Sequence, residues 1–147
     1  MTNGISETMT RHHRECDEAL ARAEEAAAAS DWVGLKRDAA TFFAEMVRHV
    51  GIEEELLFPI FEDATGMRGG PTDVMRAEHE RMRDLLAQMR LAVASEDGEQ
   101  YLGLSETLQV LLQQHNIKEE GVLYPMLDMS LSGQADSLVA RIRAYAG

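Results

Sequence analysis

The sequence predicts an all-α fold: an up-down-up-down four-helix bundle with a short C-terminal helix, built from two repeated helical hairpins. Three observations lead there. Apolar residues recur at three- and four-residue steps through four long segments, and no segment alternates with period two. Ala, Leu, Met, Glu and Arg abound, all good helix formers, whereas aromatic residues make up only 5%. The chain breakers are few and fall between the periodic segments, which leaves mostly short connections of the kind that join antiparallel neighbours.

Taken in order, the first helix is expected near 7–29, with Met9, Cys16 and Leu20 at helical spacing. Ser30-Asp31 then offers an N-cap for the second, near 32–62, which carries Phe42, Met46, Leu56, Leu57 and Ile60. The strongest breaker cluster runs from Thr65-Gly66 through Gly69-Gly70-Pro71 to Thr72-Asp73, where another N-cap signal opens the third helix, near 73–95. Met75, Met82, Leu86 and Met89 follow its face. Glu96-Asp97-Gly98 is the next turn, and the fourth helix, near 99–128, bears Leu104, Leu108, Leu111, Leu112 and Leu123. A short last helix is expected near 134–145, beyond Ser130–Gly133. Pro59 and Pro125 sit late in the two longest helices, where each is expected to kink or taper the last turns. The organisation is a single domain, 1–147, with hairpin 1 at about 7–62 and hairpin 2 at about 73–128.

Composition narrows the function. The chain has 147 residues, enough for one buried core. Asp plus Glu number 26 against 14 Lys plus Arg, a formal charge of −12. Such a chain is repelled by phosphate backbones and anionic lipid, so neither nucleic acid nor a membrane is expected as partner. No apolar run reaches the roughly 18 residues of a membrane span. The N-terminal residues carry no basic head and no apolar stretch, so the expected location is cytoplasmic. Cys16 is the only cysteine, which rules out an internal disulfide and any multi-cysteine metal site.

The second half repeats the first at an offset of 66 residues. His79 falls on His13, His115 on His49, Glu119 on Glu53, Glu120 on Glu54, Leu123 on Leu57 and Pro125 on Pro59. The two histidines of each half are 36 residues apart, and the midpoint of each pair falls on a turn, at Asp31 and at Asp97. Residues equidistant from the turn of an antiparallel pair lie at the same height, so each histidine pair should face across its own hairpin. His49 with Glu53 and His115 with Glu119 are four apart and share a helix face. Four imidazoles and two carboxylates thereby converge on one level of the core. Unpaired there they would be very costly, and a bound cation resolves the cost. Six N/O ligands suit two first-row divalent ions about 3.5–4 Å apart. Iron or manganese is favoured over zinc, whose structural sites close at four ligands and prefer thiolates. One offset has to be absorbed. His49 lies farther from the end of its helix than His79 from the start of its own, and the connection from Asp63 to Thr72 must make up about 10 Å.

The pattern His13, His49-x-x-x-Glu53, His79, His115-x-x-x-Glu119, with Glu-Leu-Leu-Phe-Pro at 55–59 and Gly-Val-Leu-Tyr-Pro at 121–125, resembles the hemerythrin-like HHE cation-binding domain family over roughly 7–128. The resemblance implies a four-helix bundle holding a non-haem di-iron centre, two iron ions with manganese or zinc as substitutes. It implies that His13 and His49 serve one iron, His79 and His115 the other, and that Glu53 and Glu119 bridge. Oxygen-carrying hemerythrins place a further histidine four residues after the third ligand, where this chain has Arg83. With four His and two Glu the chain is closer to bacterial hemerythrin-like proteins of oxygen or nitric oxide response and iron-centre repair. The expected partner is a small diatomic ligand or peroxide, bound or sensed. The rival reading is a di-iron enzyme that reduces peroxide or nitric oxide, oxidises ferrous iron or repairs iron centres.

Several neighbours invite weaker readings. His12 lies off the repeat, opposite Glu78, and reads as a surface residue. Glu45 shares a face with His49, as an additional ligand or as an acceptor for an imidazole. Glu54 and Glu120 lie about 100° off the ligand line and read as exposed or as outer partners of the histidines. Cys16 reads as a small buried apolar residue, and the methionines as core filler. Phe58 and Tyr124, equivalent in the repeat, should pack above the site, with the Tyr124 hydroxyl near a bound peroxide or nitrosyl ligand as the alternative. Trp32 should pack across a bundle end, and Arg141 and Arg143 should face solvent.

Overall fold

Two aspartates set the two hairpins. In a computed structural model, which describes residues 4–146, Asp31 and Asp97 each turn a carboxylate oxygen back onto the backbone N–H three residues on. The acceptor distances to Gly34 and Gln100 are both 3.0 Å. Each cap follows a residue with φ 53°, Ser30 in one turn and Glu96 in the other. Both capping aspartates donate their own N–H to the carbonyl five residues earlier, at 2.9 Å. The 66-residue repeat therefore extends to the backbone of the turns.

The helices these turns join are α1 (Ile5–Ala28), α2 (Trp32–Ile52), α4 (Pro71–Ala94) and α5 (Gly98–Lys118). Helix α2 runs on through a wide turn, Glu53–Leu57, into α3 (Phe58–Thr65), and α5 through Glu119–Leu123 into α6 (Tyr124–Ser130). A single 3₁₀ turn leads to α7 (Ala135–Ala144). No strand occurs among the described residues. Helix α1 packs against α2 and α5, and α4 against the same two, which gives the square of a four-helix bundle. Both turns lie at one end, where a side chain at Gly98 would come within 3.1 Å of the Ala27 carbonyl and 3.2 Å of Trp32. Trp32 thus packs across that end.

The prolines do something other than kink or taper the helices. Ahead of each, the backbone widens by one residue into a π turn, so that Phe58 N–H donates to the Glu53 carbonyl and Tyr124 N–H to that of Glu119. Pro59 and Pro125 follow in the first turn of the resumed helix, where their missing N–H matters least. A π turn inside an α-helix shifts the register of every side chain beyond it. The start of α4 also differs from expectation. Gly70, not Asp73, occupies the cap position without a side-chain hydrogen bond, and Pro71 opens the helix.

The connection between hairpins shrinks to the residues from Gly66 to Gly70, because α3 and α4 extend into it from both sides. Gly66 and Gly69 take φ 70° and 77°, values a side chain would oppose. The buried Glu62 carboxylate holds the gap closed, accepting from Thr72 Oγ1 at 2.6 Å and from the Arg76 guanidinium.

Two apolar cores result. One, toward the turns, includes Leu20, Phe42, Met46, Met82, Leu86 and Leu108. The other gathers Ile5, Met9, Ile52, Phe61, Leu127 and, from α7, Ile142. Arg48 ties α7 down through the carbonyls of Ile142 and Tyr145, at 2.8 and 3.0 Å. Arg141 and Arg143 face solvent. Among the described residues no helix is long and apolar enough to cross a membrane. Removing either capping carboxylate, in Asp31→Ala or Asp97→Ala, is expected to cost about 1 kcal/mol. Denaturant unfolding should show a lower midpoint in each variant with an unchanged slope.

Candidate metal centre

Between the two cores lies a polar layer. His13 on α1, His49 on α2, His79 on α4 and His115 on α5 are all buried, and Glu53 and Glu119 are 0% exposed. The His13 and His49 rings are 4.7 Å apart and those of His79 and His115 5.0 Å apart, each pair facing across its own hairpin. This is the height match that turn-centred spacing predicts. All six residues singled out from the sequence meet here.

They meet as two overlapping groups. His13, His49, Glu53 and Glu119 each present a donor atom within 4.8 Å of the others, and so do His79, His115, Glu53 and Glu119. The carboxylates belong to both. His13 Nε2 and His115 Nε2 lie 3.0 and 3.2 Å from Glu119 Oε1, and His79 Nε2 lies 3.0 Å from Glu53 Oε1. Yet His79 Nε2, Glu53 Oε1 and Glu119 Oε2 are buried with no hydrogen-bond partner. Buried donor atoms left unpartnered within a cluster whose ligand atoms lie within 4.8 Å of one another are what a cation satisfies, so the donor set fits a metal.

The outer nitrogens are held from across the bundle. His13 Nδ1 meets Glu120 at 2.7 Å and His79 Nδ1 meets Glu54 at 2.7 Å, each glutamate coming from the opposite hairpin. The π turns aim these neighbours of Glu53 and Glu119 inward, and Glu54 is fixed in turn by Arg83. His115 Nδ1 meets Glu78 at 2.8 Å, with Lys118 behind it. A carboxylate on Nδ1 fixes the tautomer and leaves Nε2 directed to the centre. Sequence reasoning left the roles of Glu54 and Glu120 open and did not find that of Glu78, although its i,i+40 partner Lys118 lies on another helix and offers no local signal. Glu45 stands outside both donor groups. His12 departs from the surface position expected for it. It is half-buried, its ring lies edge-on to that of His49 with centroids 5.8 Å apart, and burial together with His49 pulls its pKa down to about 4.

Tyr124 is the residue whose role the sequence understated. Its hydroxyl donates to Glu53 Oε2 at 2.7 Å and to Glu119 Oε1 at 3.0 Å, and lies 3.0 and 3.2 Å from Nε2 of His13 and His49. Burial and the two carboxylates hold its proton far more tightly than usual. Phe58, its equivalent, stacks on His79 at 5.9 Å with rings 7° apart. On the other side of the layer lies a cavity of ≈ 10 Å³, lined by the four histidines, Cys16, Met46, Met82 and Leu112, with Asp17 and Asn116 also bordering it. That is about the room one water requires.

Without a cation the layer balances its charge with protons. Burial opposes an imidazolium, but Glu119 outweighs it at His115 and raises that pKa to about 9. His13 and His79 shift the same way, against burial, through Glu119 with Glu120 and through Glu53 with Glu54. Glu53, despite complete burial, is held well below its ordinary value by His49 and its other partners. A raised histidine stabilises the fold fully below pH 6.5 and loses that contribution as pH climbs through about 9. A metal-loaded layer, with neutral imidazoles, has nothing to lose in that window. The melting temperature of chelated protein should therefore fall between pH 6.5 and 9 while that of loaded protein holds. Parallel thermal melts check this.

No curated protein and no solved structure matches the chain. A family model does: the hemerythrin HHE cation binding domain, over residues 4–127. A match of that length, on a helical bundle whose buried layer can hold a cation, places the chain in a family, and the protein belongs to the hemerythrin HHE cation-binding domains.

Proposed function

We propose that the chain holds two iron ions in this layer and uses them to bind or sense a small molecule: dioxygen, nitric oxide or peroxide. The observation that carries the reading is the pair of four-donor groups sharing Glu53 and Glu119. Each offers two imidazoles and two carboxylates, a set suited to a first-row divalent ion, with manganese or zinc as substitutes. In this reading His13 and His49 serve one ion, His79 and His115 the other, and the shared carboxylates bridge.

Bound iron supplies redox chemistry and affinity for small ligands. The protein's part is positional. Glu54, Glu78 and Glu120 orient three of the imidazoles, and the apolar cores above and below exclude water. The cavity of ≈ 10 Å³, about the room of one water, leaves none for an organic substrate and favours a very small ligand. The Cys16 thiol beside it is pushed up to about 12 by burial and offers no ready proton.

One residue favours an enzyme instead. Asp17, exposed on its outer side, borders the cavity, and partial desolvation raises its carboxyl above the usual range although His13 opposes the shift. Reduction of peroxide or nitric oxide needs such a proton source. Asp17→Asn distinguishes the readings: a binder keeps its ligand affinity, whereas an enzyme loses turnover by about 10²-fold or more.

Anaerobically purified, fully loaded protein should contain two irons per chain. Glu53→Ala should lower occupancy of both ions, and His13→Ala should lose metal where His12→Ala keeps it. Iron analysis with visible spectra after air exposure checks all three, and content near one per loaded chain overturns the di-iron reading.

A further inference from the structure

The repeat is broken at the centre, and both breaks fall on the same side. Three of the four outer nitrogens have a carboxylate, but His49 Nδ1 is buried without a partner. Its counterpart His115 is served by Glu78. The residue at Glu78's place in hairpin 1 is His12, whose Nδ1 is also buried without a partner. Glu45 lies close by but does not fill the role: its Oε2 is a third unpartnered atom. His12, Glu45 and His49 border one cavity of ≈ 40 Å³. The second break is the phenol. The Tyr124 hydroxyl lies within 3.2 Å of a donor atom from every member of the His13/His49 group. Phe58, at the equivalent place, has no hydroxyl and packs flat on His79.

Building on the di-metal reading, we propose that the two positions are unequal and fill in order: the His79/His115 position takes the resident ion, and the His13/His49 position an exchangeable one. An imidazole with a carboxylate on its outer nitrogen is a stronger and better-oriented donor, and loss of such a partner costs about 10–100-fold in metal affinity. Both imidazoles of the first position have that support, and each supporting glutamate is braced by a cation, Arg83 or Lys118. The second position has it on His13 alone. The Tyr124 hydroxyl also lies against both imidazoles of that position, so an ion entering there must displace it from them or take it as a donor, whereas at the first position it touches only the shared carboxylates. His12 is thus a positioning residue by default: it stands where a carboxylate would tighten the second site.

The test is metal release from protein loaded anaerobically with two ferrous ions and then challenged with excess EDTA. Iron remaining per chain should fall in two phases of one ion each, with rates about tenfold or more apart. His12→Glu, which gives His49 the acceptor that His115 has, should slow the fast phase toward the slow one. Glu78→Ala should speed the slow phase and leave the fast one, so the assignment is still tested if His12→Glu fails to fold. Loss of both ions in a single phase, an unchanged fast phase in folded His12→Glu, or a faster fast phase in Glu78→Ala each overturns the ordering. A chain that loads only one ion overturns the di-metal reading beneath it, which separates the two failures.

Discussion

Everything in this fold answers to one electrostatic constraint: four imidazoles and two carboxylates occupy a single layer with apolar core on both faces. Buried charge is tolerated only when it is balanced and oriented. Proton sharing supplies the balance when no cation is present, as the raised histidines and the depressed Glu53 record. Orientation comes from outside the layer, through glutamates that sit at the solvent boundary and touch only the outer nitrogens. The layer also divides the hydrophobic core, so the turn end and the α7 end have separate apolar clusters.

Much of this was legible in the sequence because it is written in spacing. Period-3.6 patterning set the helices, and the symmetric distance of His13 and His49 from Asp31 fixed their common height before any coordinate. Repetition made the six central residues stand out from a background of ordinary helix-face pairs. The match in the structure extends to the turns, with φ 53° at both Ser30 and Glu96.

What was not legible depended on three-dimensional register. The π turns at Glu53 and Glu119 change which faces Glu54, Glu120 and Tyr124 present, and a 100° helical wheel cannot foresee an extra residue per turn. The sequence therefore left Glu54 and Glu120 between exposed residues and outer partners of the histidines, and did not give Tyr124 its hydrogen bonds to both central carboxylates. Asp73 had the chemistry of a cap, but Gly70-Pro71 opened the helix first. His12 looked exposed because its distance from His13 on the wheel says nothing about α2, which closes over it.

The crossed support of His13 by Glu120 and of His79 by Glu54 gives the layer a twofold character. Each hairpin supplies imidazoles that only the other hairpin can steady, and the exchange is reciprocal, as across the twofold axis of a symmetric dimer. A single hairpin of this kind would be incomplete alone and complete when paired with its own copy. The present chain has the form of such a dimer joined through residues 66–70, where Gly66 and Gly69 take positive φ. Once the halves are joined they are free to diverge, and the differences between His12 and Glu78, and between Phe58 and Tyr124, are what a homodimer could not have kept.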